Sequence, residues 1–336
     1  MPLVRDSLVI AGASSLLGAE LKSLLEESRF AGWDFSLLDE ETAAGLLTEA
    51  AGEPAIIQPV EEGSFARAKF VFFTGSEAFA ERNLPAARES GAAVIDLSGA
   101  ALSIKDAQVW LAIDGGGHGT GKNKTLFAIP SAPGLATAKL LDTLGRVGLC
   151  RLALVFFRPV SEANRPGIEE LEAQTTQLLS FQSIGQAVFD TQVAFNVLDD
   201  YGVASRENLR SVRARIRREA QAAARELNLV QPSIQVLHAP VFYGYTFSAI
   251  AEFNSKQSPQ LSTDALIALC RKTGFTLDAE DSSPLGNLSA AGDAAIHLAL
   301  PEDDSAKPDT WWFWGAADNI RLPAITAVKL AEKHLE

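Results

Sequence analysis

At 336 residues the chain is too long for most single hydrophobic cores, so we expect two domains, and a hydrophobic content of 47% is enough to build both. A formal charge of -13 argues against nucleic acid and anionic membranes as partners, and no apolar run reaches the ~20 residues that span a bilayer. Two cysteines and four scattered histidines exclude a disulfide framework and a four-ligand zinc site, so no metal is expected. The N-terminus has no signal-peptide pattern, which predicts a cytoplasmic protein.

The chain begins with a strand, a tight turn and a helix in the order that starts a nucleotide-binding sheet. Residues 8–11 are a short apolar run typical of a buried parallel strand, and Gly12 follows at the turn. Ser14 or Ser15 can cap the next helix, whose N-terminal N–H groups form an anion site. The dinucleotide fingerprint needs glycine where Ser15 stands, although Gly12 and Gly18 are present. A βα unit without a ligand is therefore an alternative to a coenzyme site.

The second predicted strand, 33–38, ends in acidic residues roughly 20 residues beyond the turn. Asp39 is placed to accept a hydrogen bond from an adenosine ribose hydroxyl. Asp39 and Glu40 would also repel a 2′-phosphate, so a bound dinucleotide would be NAD rather than NADP. The alternative is a solvated acidic strand end.

Strands and helices then alternate at a rhythm that predicts a doubly wound parallel sheet. The further elements of this half are strands at 55–60, 69–74, 92–97 and 125–129 and a helix at 76–90. Between them, Gly116 to Lys122 match the spacing of a phosphate-binding loop. Asn123 stands where that motif needs Ser or Thr, and a strand follows instead of a helix, so we interpret segment 115–124 as a flexible surface turn.

The second half predicts a different sheet. A helix begins near Pro133, and long alternating strands at 150–160 and 233–253 are typical of an open, mostly antiparallel sheet. Helices are expected at 167–179, 208–227 and 323–335. Cys150 and Cys270 are both interpreted as core residues.

Six segments, in this order and spacing, resemble the aspartate-semialdehyde dehydrogenases and, more distantly, the N-acetyl-glutamyl-phosphate reductases. They are the opening unit, IDLSGA at 95–100, SEANRPGIEEL at 161–171, FDTQVAFNVL at 189–198, APVFYG at 239–244 and DNIR at 318–321. The match runs over nearly the whole chain. FNVL, SGA and the pair Gln174 and Thr175 are most similar to a side branch of the family without an assigned reaction.

The resemblance implies a Rossmann-type domain of residues 1–131 and 318–336, and an α+β dimerisation domain of residues 132–317 through which a homodimer forms. In this family of amino-acid biosynthesis enzymes, a cysteine thiolate at a helix N-terminus attacks an acyl phosphate or aldehyde, a histidine moves protons, and NADP(H) exchanges hydride. The residues that we predict to contact NAD or NADP are Gly12, Ser14, Ser15, Leu16, Gly18, Asp39, Thr74, Gly75, Ser98 and Gly99.

The positions that carry the family's chemistry depart from its pattern. The thiolate position is Ala132, and a methyl group can neither attack nor leave. The other implied correspondences are a glutamine at Arg158, a substrate-binding arginine at His238, the catalytic histidine at Tyr245, a phosphate-binding arginine at Leu102 and a substrate lysine at Arg215.

These departures predict a pseudoenzyme, a binding or regulatory protein of unknown ligand whose dinucleotide site is either kept or lost. The alternative is an active NAD(P)-dependent oxidoreductase that acts on an aldehyde or oxo group. Its non-thiol mechanism would use Arg158, His238 and Tyr245.

Overall fold

The computed structural model describes residues 6–50, 53–112, 125–254, 261–277 and 283–336. The chain divides into two compact units, Met1–Ser131 with Pro323–Glu336, and Ala132–Leu322. The sequence had placed the return to the first domain at Asp318, five residues earlier. The glycine-rich segment 115–124, and with it the predicted surface turn, lies outside the described residues. Within the described ranges, no helix is long and apolar enough to cross a membrane.

Within the described residues, the first unit contains two α-helices, seven strands of one parallel sheet and a two-stranded hairpin before the chain enters the second unit. In chain order they are β1 (Ser7–Ala11), α1 (Leu16–Glu26), β2 (Asp34–Asp39), β3 (Leu47–Ala50), β4 (Glu53–Ile56), β5 (Gln58–Pro59), β6 (Ala68–Phe73), α2 (Glu77–Glu89), β7 (Ala93–Asp96), β8 (Gln108–Val109) and β9 (Leu126–Ala128).

The remaining elements belong to the second unit, apart from the last helix, which ends in the first. They are α3 (Ala132–Gly145), β10 (Leu149–Arg158), α4 (Asn164–Leu179), α5 (Leu209–Glu226), β11 (Ser233–His238), β12 (Tyr245–Phe253), α6 (Thr263–Lys272), β13 (Thr276–Leu277), β14 (Ile296–Leu298), β15 (Glu302–Asp303), β16 (Thr310–Ala317) and α7 (Arg321–His334).

The sheet of the first unit is parallel throughout and runs β5-β2-β1-β6-β7-β9-β8. Leu8 and Ile10 on one face pack with α1 and α7, while Val9 and Ala11 on the other face pack with α2. Because both faces are covered, the strands are continuous apolar runs. This confirms the predicted doubly wound sheet.

The structure divides the predicted strand at 55–60, and it also divides segment 233–253 into β11 and β12. β4 pairs antiparallel with β3, and only β5 joins the sheet, beside β2. The division falls at Ile57, because its backbone N–H and carbonyl bond to Leu46 and Gly45 and not to β2.

The second unit is built on a mixed sheet in the order β11-β10-β12-β16-β14-β13, with β15 on β16. Among the described strands of this sheet, only the β10–β11 and β13–β14 pairs are parallel, which confirms the predicted mostly antiparallel sheet. Phe156 and Phe247 lie on a buried face that α3 and α5 contact. On the opposite face Phe157 lies against Trp314, with ring centroids 6.0 Å apart, and Trp314 is 37% exposed.

Two side chains of α4 hold the loop that follows it. The Glu170 carboxylate accepts hydrogen bonds from backbone N–H groups, and the Gln174 amide both accepts and donates. Their partners are the N–H groups of Val188 and Phe189 for Glu170, and the N–H groups of Val193 and Ala194 and the carbonyls of Gly185 and Thr191 for Gln174. We call this arrangement the α4 clasp. The α4 clasp gives a structural role to two of the segments that carry the resemblance, 161–171 and 189–198.

Candidate functional site

The turn after β1 brings backbone segments so close together that only glycine fits. Gly12 has φ of 98°, and a Cβ there would lie 2.1 Å from the backbone nitrogen of Gly75. A Cβ on Gly18 would lie 2.6 Å from the carbonyl oxygen of Gly12. The Thr74 hydroxyl donates to that same carbonyl at 3.0 Å. The turn therefore places the start of α1 at the carboxyl ends of β1 and β6, where parallel sheets bind nucleotides.

Ser15 occupies the position where the fingerprint has glycine, and its side chain points into the turn. Its backbone is extended, with φ of -68°, so no special conformation is needed. Its Oγ lies 2.8 Å from the Gly12 carbonyl and 3.0 Å from the Thr74 carbonyl, and accepts the Gly18 N–H at 2.9 Å. Ser15, and not Ser14, is thus the N-cap of α1. Because the hydroxyl is used within the turn, Ser15 does not project over the helix N-terminus, and the turn fits a dinucleotide.

Asp39 is held beside this turn at the end of β2. It is 8% exposed, and its two carboxylate oxygens accept the N–H groups of Ser14 and Glu40, each at 2.8 Å. A carboxylate has further lone pairs, so Asp39 can still accept a ribose hydroxyl. The turn fixes the position of this negative charge.

The remaining predicted coenzyme residues follow β7 at the same edge of the sheet. Buried Asp96 accepts the N–H groups of Ser98 and Gly99, and also the Ser98 hydroxyl. Gly99 has φ of 98° and begins a 3₁₀ turn, Ala100–Ser103. The structure thus gathers the turns after β1, β6 and β7, while their contact with a coenzyme stays a prediction.

Ala132 is the first residue of α3, where the resemblance places a thiolate, and it is 1% exposed. Cys150 lies near the start of β10, beyond the 14-residue α3, and is exposed. The prediction that Cys150 is a core residue is wrong, because the buried alternation of β10 begins only at Leu152. Cys270 is buried in α6, and burial raises the pKa of its thiol to about 11. Neither cysteine supplies a thiolate at the start of α3.

Arg158 ends β10 with its side chain 2% exposed. Its Nη1 donates to the Tyr201 hydroxyl at 2.8 Å and its Nη2 to the Glu207 carboxylate at 2.6 Å. Burial by itself lowers the pKa of the guanidinium, but Tyr201 and Glu207 together raise that pKa above its ordinary value. Arg158 is therefore a fixed positive charge with its own acidic partner.

His238 ends β11 and is fully buried. Its Nδ1 lies 3.3 Å from the Tyr201 hydroxyl, which already accepts an N–H from Arg158 and so directs its own hydrogen to the ring. Burial and then the charge of Arg158 lower the pKa of His238 to about 4, although the nearby backbone of Val193 acts in the opposite direction. The ring is neutral at pH 7. Its other ring nitrogen, Nε2, is buried, and no atom of the described residues forms a hydrogen bond with it.

Tyr245 begins β12 and is 1% exposed. Its hydroxyl donates to Glu162 Oε2 at 3.4 Å, and Glu162 Oε1 accepts an N–H from Asn319 at 3.0 Å. Burial and then Glu162 raise the pKa of Tyr245 well above its ordinary value. Burial also raises the pKa of Glu162, against the charge of Arg158. Tyr245 is therefore a neutral hydrogen-bond donor, bonded to Glu162 and not to the group formed by Arg158, Tyr201 and His238.

The DNIR segment joins Tyr245's surroundings through Asn319. Asn319 Oδ1 accepts the Gly244 N–H at 2.9 Å, so the amide connects the turn before β12 to Glu162. Asp318 accepts the N–H of Arg321 at 2.7 Å at the start of α7. Asn319 and Asp318 therefore each accept a backbone N–H, one in the turn before β12 and the other at the start of α7.

Arg215 and Leu102 each have contacts within their own unit. On α5 the Arg215 Nε donates to buried Glu219 at 3.0 Å. Leu102 lies in the first unit and packs against the core on the α2 face. Within the described ranges, no group of three or more His, Cys, Asp or Glu side chains could hold a metal ion.

Sequence reasoning missed Tyr201, Glu207 and Glu162, the partners of the residues it did single out. Arginine is almost never buried without a partner. An arginine at the end of a predicted core strand was therefore a signal that an acidic residue such as Glu207 must reach it.

Comparison with known proteins matches residues 7–112 to a family described as semialdehyde dehydrogenase, NAD binding domain. The chain is 28% identical to the USG-1 protein homolog of Azotobacter vinelandii, over 97% of this chain and 96% of that protein. It is 24% identical to the aspartate-semialdehyde dehydrogenase of Shewanella violacea, again over 97% and 96%.

Solved structures agree over the same length. The probable aspartate-semialdehyde dehydrogenase from Pseudomonas aeruginosa is 25% identical and has a TM-score of 0.85, with 99% of each chain covered. The aspartate semialdehyde dehydrogenase with NADP from Candida albicans shares the fold at 13% identity, with a TM-score of 0.68 over 98% of this chain and 99% of that one.

Proposed function

We propose that this chain, which is similar to the aspartate-semialdehyde dehydrogenases over nearly its whole length and matches a semialdehyde dehydrogenase NAD-binding domain over residues 7–112, has lost the covalent thiol reaction and acts as a binding or regulatory protein. The observation that carries the proposal is Ala132 at the first position of α3. Covalent catalysis there needs a nucleophile that becomes the acyl-enzyme. Both cysteines of the chain lie in other elements.

The charges around Arg158 support the same proposal. Two of its N–H donors already bond to Tyr201 and Glu207, so they are not directed at a substrate anion. The raised pKa of Tyr245 also weighs against the alternative, a non-thiol oxidoreductase, because that mechanism asks Tyr245 to exchange a proton near neutral pH.

We further propose that the first unit retains a nicotinamide dinucleotide and prefers NAD. When bound, this coenzyme supplies a hydride acceptor or donor. The residues that would hold it are Gly12, whose missing side chain allows close approach, the N-terminal turn of α1 capped by Ser15, and Asp39 beside the ribose. The fixed carboxylate of Asp39 supports NAD over NADP.

We also propose a homodimer through the outer face of the second unit's sheet. That face presents Trp312 and Trp314 at 43% and 37% exposure, along with Phe157. An exposed apolar face of this kind is a frequent protein interface, and a two-fold axis would cover it on both copies at once.

Calorimetric titration with NAD and NADP, together with an assay of phosphate-dependent aspartate semialdehyde oxidation, tests the proposed function. We expect NAD to bind and no turnover to occur. Turnover in the unmodified protein that Tyr245→Phe abolishes would overturn the proposal and establish the non-thiol oxidoreductase.

A further inference from the structure

A surface ion pair joins α2 to the end of β2. Arg82 Nη2 lies 2.9 Å from Glu40 Oε1, with the two side chains 60% and 44% exposed. Strands β2 and β6 flank β1 on either side, and α2 follows β6. The ion pair therefore reaches across the carboxyl end of β1, beside the turn that contains Gly12.

This position is where the two nicotinamide coenzymes differ. NADP carries a phosphate on the 2′-oxygen of the adenosine ribose. In nucleotide-binding sheets a carboxylate after the second strand bonds the free 2′-hydroxyl of NAD, whereas a nearby arginine accommodates the 2′-phosphate of NADP. The chain has both kinds of residue here, Asp39 as the fixed carboxylate and Arg82 as the arginine.

Glu40 is the partner of Arg82 in this contact. An exposed ion pair contributes little to the stability of a fold, so variants of Glu40 or Arg82 should fold normally. While the Glu40 carboxylate accepts from Arg82, one edge of the guanidinium is engaged and its charge is neutralised. A 2′-phosphate would meet Glu40 as well as Asp39.

We propose that Glu40 is the residue that discriminates between the coenzymes: it engages Arg82, the guanidinium that would otherwise bind a 2′-phosphate. The site then takes NAD and rejects NADP. This inference rests on the proposed function, in which a dinucleotide binds at the turn after β1.

The test is calorimetric titration of the full chain with NAD, NADP, 5′-AMP and 2′-AMP, in the wild type and in Glu40→Gln, Arg82→Met and the double variant. Glu40→Gln keeps the side-chain size and frees the guanidinium. It should raise the affinity for NADP relative to NAD by about tenfold, since a hydrogen bond to a charged group is strong enough for a change of this size. The same shift should appear with 2′-AMP against 5′-AMP. The double variant should lose the gain.

Asp106→Asn is the matched control. Asp106 lies 2.5 Å from Arg88, which is near the C-terminal end of α2, so this variant removes a comparable surface carboxylate that pairs with another arginine of the same helix. It should leave the NADP to NAD ratio unchanged.

Three results would overturn the inference. If Glu40→Gln binds NAD but its affinity for NADP does not rise, this inference is refuted and the proposed function stands. If Arg82→Met, with Glu40 unchanged, lowers the affinity for NADP but not for NAD, then Arg82 already binds the phosphate in the wild type. Absence of NAD and NADP binding in every correctly folded variant would overturn both this inference and the proposed retention of a coenzyme.

Discussion

Arg158 and His238 are register partners at the carboxyl ends of two neighbouring parallel strands, and the same Tyr201 hydroxyl lies within hydrogen-bonding distance of both. Burial, and then the permanent charge of Arg158, lower the pKa of His238 and keep its imidazole neutral, while Glu207 balances the charge of Arg158. The stability of the second unit should therefore depend on pH through His238.

His238→Gln tests this dependence. The pKa of His238 is lowered from 6.5 to about 4 in the folded chain, so the folded state binds its proton less tightly than the unfolded state. The contribution of neutral His238 to the free energy of unfolding is therefore fully present above pH 6.5 and is lost as the pH falls towards 4. This contribution is at most about 3 kcal/mol. Urea unfolding at pH 7, 5.5 and 4 should show this loss in the wild type and a smaller one in the variant. Equal slopes in both proteins would contradict the prediction.

Gln174→Ala should open the α4 clasp. The change removes the acceptor for the N–H groups of Val193 and Ala194 and leaves them buried without a partner, at a cost on the order of 3 kcal/mol. The control is Gln177→Ala, because Gln177 accepts one N–H, from exposed Gly185, and should cost below about 1 kcal/mol. Hydrogen exchange across 188–194 and urea unfolding both measure the effect. A Gln174 variant as stable as the Gln177 variant would show that the clasp does not stabilise the fold.

Ala132→Cys should not restore the family reaction. The new thiol would stand at the start of α3, but Tyr245 would still replace the proton-transferring histidine and Leu102 a phosphate-binding arginine, as the resemblance implies. Removing one member of a catalytic group that acts as a unit typically costs ~10⁴-fold or more in rate, so we expect trace turnover at best. The phosphate-dependent assay measures it, with the intact mass of the variant as the check that the substitution is present. Rates near those of an active relative would mean that the other replacements do not matter.

Ile250→Glu should dissociate the proposed homodimer. Ile250 lies at the middle of the outer sheet face, paired with Trp312, so a carboxylate there would be buried in a two-fold interface at a large cost. Light scattering at micromolar concentration should give twice the 35.8 kDa chain mass for the wild type and the monomer mass for the variant. Phe181→Glu, at a 99% exposed position off the sheet, is the control and should stay dimeric. A monomeric wild type would refute the interface.

The sequence predicted the elements whose signal is local. The apolar run of β1, the cap expected at Ser14 or Ser15, the helix start at residue 76 and the alternation of β10 all lie within a few residues of the predicted positions. What it did not predict depends on distant partners. The hairpin of β3 and β4 exists because Ile57 bonds to Gly45 and Leu46, and nothing in the sequence around Ile57 indicates that pairing.

The candidate sites show the same division. The conformation of Ser15 could not be read from the fingerprint, since the direction of its hydroxyl depends on the carbonyl of Thr74, 59 residues away. In the second unit, Arg158 and Tyr245 were identified as unusual by resemblance. Burial acts first on the pKa of both groups, after which Tyr201 and Glu207 raise the pKa of Arg158 and Glu162 raises that of Tyr245. No pattern in the sequence connects these partners to them.

The α4 clasp has a consequence for how relatives of this chain are recognised. Its hydrogen bonds run from Glu170 and Gln174 to the backbone of 188–194, so these two segments would be kept in any descendant that keeps the loop in place, with or without turnover. Sequence signatures drawn from them report ancestry and foldability. Chains that keep the thiol reaction are instead distinguished from those that lack it by whether the first residue of α3 is cysteine.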